Sequence, residues 1–142
     1  MLRRSIPLLA AILLAAGCGE DAPVQNGNGP QAPGTIEING EAATDRGTYS
    51  VTDFEKVAVN TGNFYFEPTL VTGPPGLEIE LDFVTDSDPT QHNVTLPEQG
   101  IDEEIPPDSI VGVFASFPES GTLVFFCKYH RGQGMVGGLT AS

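Results

Sequence analysis

The chain has no tryptophan, and its 142 residues include two histidines, two cysteines and two methionines. Basic residues are scarce: six Lys or Arg stand against nineteen Asp or Glu, a formal net charge of −13. That balance excludes nucleic acid as an expected partner, because phosphate contacts need clusters of Lys and Arg. No heptad or internal repeat occurs. The apolar run near the N-terminus, Ile6 to Ala16, has eleven residues, too few for the roughly 20 that cross a bilayer. Cys18 closes that segment, so everything after it holds one cysteine, Cys127, and has no internal disulfide.

What is present points to short strands. Seventeen Gly and twelve Pro, with eight Phe, suit a turn-rich all-β domain better than long helices. Residues 1–18 read as a targeting segment, with Arg3 and Arg4 before the apolar run and the small residues Ala15, Ala16 and Gly17 before Cys18. This resembles a bacterial lipoprotein signal. The resemblance implies export, with Cys18 lipidated as the first mature residue and the chain tethered to the outer face of the cytoplasmic membrane or elsewhere in the envelope. The alternative is an ordinary signal peptide and a soluble periplasmic or secreted protein. Residues 19–46 are rich in Gly, Pro, Ala and Asn and read as a flexible tether, although Thr35 to Ile38 can pair loosely with the domain.

Residues 47–142 form the expected domain. Strands are expected around Tyr49 to Val59, over Asn63 to Val71 with a break at Pro68, and over Leu77 to Val84. In the last of these Leu77, Ile79, Leu81 and Phe83 alternate with Glu78, Glu80 and Asp82. His92 to Leu96, Ile110 to Phe117, Leu123 to Cys127 and Met135 to Thr140 complete the set, and Pro97 to Ser109 reads as an acidic connection anchored by Ile101 and Ile105. Seven or eight short strands separated by turns describe a β-sandwich.

The chemistry is concentrated near the C-terminus. Gly121 to Thr140 reads GTLVFFCKYHRGQGMVGGLT, in which a strand delivers Cys127 to a polar loop spaced C-x2-H-x4-M. The only other histidine, His92, stands in TQHNVTLP. Singly, Cys127 reads as a small buried hydrophobe, either histidine as a satisfied polar residue and Met135 as core filler. Together they supply a thiolate, two imidazoles and a thioether. A His2Cys set with a weak axial Met describes a blue-copper centre, here His92, Cys127 and His130 with Met135 on the axis. An unpaired cysteine in an exported domain also calls for a reason, and metal ligation gives one.

HNVTL and FFCKYHRGQGM resemble the corresponding stretches of the cupredoxins, the small plastocyanin-, azurin- and pseudoazurin-like electron carriers, and the resemblance runs over roughly Thr48 to Ala141. It implies a Greek-key sandwich with one type 1 copper ion held at one end by His92, Cys127, His130 and Met135. It also implies that Asn93 pins the two ligand loops together and places a backbone N–H near the cysteine sulfur. Tyr129 departs from the pattern, since many relatives have Pro before the second histidine. The implied role is one-electron transfer between envelope redox partners, without catalysis, by a monomer whose electron leaves through His130 within an apolar patch. Pro106, Pro107, Met135 and Val136 are candidates for that patch.

Without Arg3 and Arg4 the charge becomes −15, which favours steering toward a basic redox partner or, equally, salt adaptation. Contact with a membrane is expected only through the N-terminal lipid. A competing function is copper binding or delivery in the envelope, for which a single Met after Met1 is a poor endowment. A multicopper oxidase or nitrite reductase would need more histidines, and a dinuclear centre a second loop cysteine.

Overall fold

The computed structural model describes residues 34–85 and 87–142; the targeting segment with Cys18 and the first part of the expected tether lie outside the described residues. The described chain opens on a hairpin in which β1 (Gly34–Ile38) pairs antiparallel with β2 (Glu41–Asp45). Its turn is Asn39-Gly40, at φ 49° and 84°, the positive-φ pair that a type I′ turn requires and that Asn-Gly adopts readily. The hairpin falls inside the stretch whose composition reads as a tether. It is ordered by burial: Ile38 and Ala43 pack with Val136, and Ile36, Leu70, Val124 and Phe126 close around them. That small second core offsets the ordering entropy that the Gly- and Ala-rich composition alone cannot.

Ten further strands complete the fold: β3 (Thr48–Ser50), β4 (Lys56–Gly62), β5 (Tyr65–Glu67), β6 (Leu70–Gly73), β7 (Glu78–Val84), β8 (His92–Leu96), β9 (Ile101–Ile105), β10 (Ile110–Ser116), β11 (Thr122–Phe126) and β12 (Val136–Ala141). They form a four-stranded sheet in the order β10-β7-β4-β5 and a six-stranded sheet in the order β3-β6-β12-β11-β8-β9. β4 and β7 are parallel neighbours although β6 between them belongs to the other sheet, so the chain crosses between layers as a Greek key does. Val57, Val59, Ile79, Leu81, Phe83 and Val113 of the first sheet share one buried core with Val71, Val94, Leu96, Ile105, Phe125 and Leu139 of the second.

Among the described residues there are thus twelve strands rather than seven or eight, each addition with a local cause. Pro68 has no N–H for a ladder, and the chain divides there into β5 and β6, which join different sheets. The connection from Pro97 to Ser109 contains β9, which pairs antiparallel with β8 so that Ile105 faces His92 and Asp102 faces Thr95. β9 lies at the sheet edge, where the exposed Asp102, Glu103 and Glu104 are tolerated and discourage pairing with another chain.

This topology positions the chemistry. β8 opens on His92, β11 ends one residue before Cys127, and β12 begins one residue after Met135. β8, β11 and β12 are adjacent in one sheet, with Phe126 paired both to Thr95 and to Val136. The functional side chains therefore gather beyond neighbouring strand ends.

Candidate metal centre

The loop from Cys127 to Met135 is closed by its own backbone. Cys127 N–H donates to the Met135 carbonyl at 3.0 Å, His130 N–H to the Cys127 carbonyl at 3.1 Å and Met135 N–H to the His130 carbonyl at 3.3 Å. A 3-10 turn over Arg131–Gln133 ends at Gly134, φ 88°, which a side chain would strain. A Cβ at Gly134 would also meet Thr44 Oγ1 at 2.9 Å, because β2 runs against the loop and Thr44 N–H donates to the Gly134 carbonyl at 2.9 Å. Arg131 strengthens this clasp: its guanidinium lies 3.7 Å from the Phe126 ring centroid, and its Nε donates to Glu41 Oε2 at 2.8 Å. The N-terminal hairpin thus holds the loop from outside.

Within this frame the donor atoms of His92, Cys127 and His130 lie within 4.8 Å of one another. His130 Nδ1 stands 3.6 Å from Cys127 Sγ, and the two imidazole centroids are 5.2 Å apart. His92 and Cys127 are fully buried, whereas His130 is partly exposed. His92 Nε2 meets Asp88 Oδ2 at 3.0 Å, while His92 Nδ1 is buried with no hydrogen-bond partner. A buried ring nitrogen without a hydrogen bond of good geometry, on a ring that also interacts with the Cys127 thiol and lies beside a second imidazole, is free to take a metal ion. One soft thiolate and two imidazoles fit copper. Met135 is fully buried in the main core and is tied by its backbone to both Cys127 and His130.

Asn93 is buried, and its Oδ1 accepts the Lys128 N–H at 3.2 Å, linking β8 to the Cys127 loop. Its Nδ2 donates to Asp102 Oδ1 at 2.7 Å and to the Glu103 carbonyl at 3.1 Å, extending the link to β9. Burial also removes Asn93 as a glycosylation acceptor, although Asn93-Val94-Thr95 fits the sequon. Burial pushes the Cys127 thiol up, but the His92 ring and the backbone N–H groups of Tyr129, Asn93 and His130 outweigh it and hold its pKa below the ordinary thiol value. The Tyr129 amide is one that a proline at this position would not have. Burial opposes protonation of His92, yet Cys127 and Asp88 leave its pKa raised. His130 is lowered, by burial and then by His92.

Phe64, Asp88 and the clasping hairpin are site features that sequence reasoning missed. The Phe64 ring lies 4.5 Å from that of His130, tilted by 44°, covering one side of the imidazole. Phe64 reads as a strand residue in NFYF, and no local signal sends it to His130. Asp88 sits four residues before His92 in a loop of ordinary turn composition. Tyr129 donates its hydroxyl to Glu104 at 2.9 Å, and Lys128 bridges Asp102 and Glu104 at 3.1 and 2.6 Å. These contacts are exposed and add little stability. Of the four candidates for an apolar patch, Pro106 and Pro107 are exposed, whereas Met135 and Val136 have no exposed surface and belong to the interior. Tyr129, half exposed beside His130, takes their place at the surface.

No protein-family model matches the chain. Its fold is similar to that of the metal-binding domain of the Streptococcus pneumoniae D39 Cu(I)-exporting P-type ATPase CopA, solved with Cu(I). The TM-score is 0.57 at 18% identity, over 68% of this chain and 97% of that one. It is also similar to auracyanin A, a "blue" copper protein from the green thermophilic photosynthetic bacterium Chloroflexus aurantiacus. There the TM-score is 0.52 at 17% identity, over 66% of this chain and 99% of that one. Auracyanin B gives 0.52 at 19% identity, over 78% and 98%. The described residues form an all-β domain with the cupredoxin-like β-sandwich fold, and its strand ends bring together a His2Cys cluster able to hold a metal.

Proposed function

We propose that this chain binds one copper ion through His92, Cys127 and His130, with the Met135 thioether as a weak fourth ligand. The observation that carries the reading is the convergence of donor atoms from the buried His92, the buried Cys127 and His130 within 4.8 Å, with His92 Nδ1 buried and without a hydrogen bond of good geometry. Copper held there supplies a one-electron Cu(II)/Cu(I) couple. The chain does the rest: backbone amides support the Cys127 sulfur as thiolate, Asn93 keeps the two ligand segments in register, and Phe64 shields His130 from water on one face. The chain is read as a binding protein rather than an enzyme, in keeping with the copper-binding proteins whose fold it shares. The N-terminal segment directs it to the cell envelope, with Cys18 as the lipid anchor. Among the described residues no helix is long and apolar enough to cross a membrane.

Copper binding and handover in the envelope is the reading with the broader support, since the similar folds include a domain solved with Cu(I) as well as a "blue" copper protein. One-electron carriage between redox proteins is a second reading, favoured by the buried Cys127 and His92 beside a partly exposed His130, which suits an ion that stays while an electron passes. The exposed Asp102, Glu103 and Glu104 on β9 would then steer a basic partner toward a monomer. Handover predicts that the reduced protein loses its copper readily to a competing Cu(I) chelator. Carriage predicts that it retains copper, exchanges electrons rapidly with its oxidised form, and transfers to a basic partner more slowly as salt rises. Met135 has its own test. Met135→Leu is expected to raise the reduction potential, by removing a donor, and Met135→Gln to lower it, by supplying a harder one. Equal potentials in all three proteins would remove Met135 from the site.

A further inference from the structure

The two imidazoles of the cluster are held in different ways, and the difference singles out an acidic side chain. Asp88 lies in the connection between β7 and β8, four residues before His92 opens β8. Its Oδ1 accepts the Thr90 N–H at 2.8 Å, which fixes the carboxylate in an Asx turn. Its Oδ2 is thereby aimed at His92 Nε2, 3.0 Å away. The pair is largely shielded from water: the Asp88 side chain is 9% exposed and that of His92 is 0% exposed. His130, by contrast, is packed by the Phe64 ring and turns its Nδ1 toward the Cys127 sulfur.

A carboxylate has only acceptors, so in the neutral ring the proton belongs on Nε2, and the Nδ1 lone pair is left free. That is the nitrogen with no hydrogen bond of good geometry, on a ring whose other neighbour is the Cys127 sulfur. We propose that Asp88 is a positioning residue of the metal centre: it selects the His92 tautomer that exposes Nδ1 to the ion, and its negative charge biases bound copper toward Cu(II). The inference rests on the copper reading for its second half and on the side-chain geometry alone for its first. The electrostatic sense is simple. A fixed negative charge one imidazole away stabilises the dication more than the monocation, so it raises Cu(II) affinity more than Cu(I) affinity and lowers the reduction potential.

Asp88→Asn keeps an oxygen able to accept from Nε2 but removes the charge, and Asp88→Ala removes both. Partners of metal-bound histidines typically contribute about 10- to 100-fold in affinity. Asp88→Asn is therefore expected to weaken Cu(II) binding by about tenfold or more with a smaller loss for Cu(I). A tenfold loss confined to Cu(II) corresponds to a potential about 59 mV higher. In 15N spectra of the metal-free protein with the ring neutral, wild-type His92 is expected as the Nε2–H tautomer, and Asp88→Ala as a mixture. A wild-type ring protonated on Nδ1 would overturn the positioning role. An unchanged potential in Asp88→Asn, in a protein whose wild type shows the thiolate–copper band, would overturn the charge effect. Absence of that band in the wild type would instead defeat the copper reading, and the tautomer measurement would still decide the role of Asp88.

Discussion

Cys127→Ser is expected to abolish the intense visible absorption of the copper-loaded protein while leaving the sandwich folded. Both halves follow from the surroundings of the sulfur. The hydroxyl is a poor, hard ligand that is not ionised at neutral pH, so neither the soft-donor affinity nor the sulfur-to-copper transition survives. The loss of affinity should exceed the roughly 10- to 100-fold typical of removing an outer partner, because a ligand itself is gone. The fold is spared because the buried hydroxyl is not stranded: the backbone N–H groups of Tyr129, Asn93 and His130 that face the sulfur can face an oxygen. Absorption spectra and copper competition check the first half, and circular dichroism with a denaturant midpoint checks the second. A coloured, tightly bound Cys127→Ser protein would remove Cys127 from the site.

The largest expected loss of stability lies in the core beneath the site. Phe66, Phe83 and Phe125 are fully buried and meet edge to face, with centroid separations of 5.6, 5.1 and 5.8 Å around the triangle. They come from β5, β7 and β11, so the triangle joins the two sheets. Phe66→Ala removes one corner and leaves a cavity among side chains already packed on each other, for an expected cost of about 3–5 kcal/mol. Against the roughly 5–15 kcal/mol that holds a typical domain together, that loss approaches the unfolding threshold. Urea unfolding should show the midpoint falling with little change in slope. A loss under about 1 kcal/mol would mean that the neighbours collapse into the space. Phe125 stands two residues before Cys127, so copper binding should weaken in step with the core.

How much of this was readable in the sequence depends on whether the signal was local. β7 was readable because Ile79, Leu81 and Phe83 alternate with acids, and that alternation is what a sheet with one wet face imposes. The meeting of His92, Cys127 and His130 was readable because scarce, chemically matched residues rarely fall into a ligand pattern by accident. β9 was hidden because its Asp102, Glu103 and Glu104 are poor strand formers, accepted at an edge by pairing with β8. The hairpin over 34–45 was hidden by composition, although Asn39-Gly40 was a usable turn signal; what orders it is the outer face of the six-stranded sheet. Asp88 and Phe64 carry no sequence mark, since their roles arise only when the loops that bear them fold onto the two histidines.

The most direct test of the copper centre is titration of the purified, reduced-thiol protein with Cu(II), monitored by visible absorption. The expected result is an intense blue to green colour that grows to saturation at one copper per chain, fades on reduction and returns on reoxidation. A pale adduct without a thiolate-to-copper band, or colour that rises past one equivalent without a break, would contradict a copper centre built on His92, Cys127 and His130.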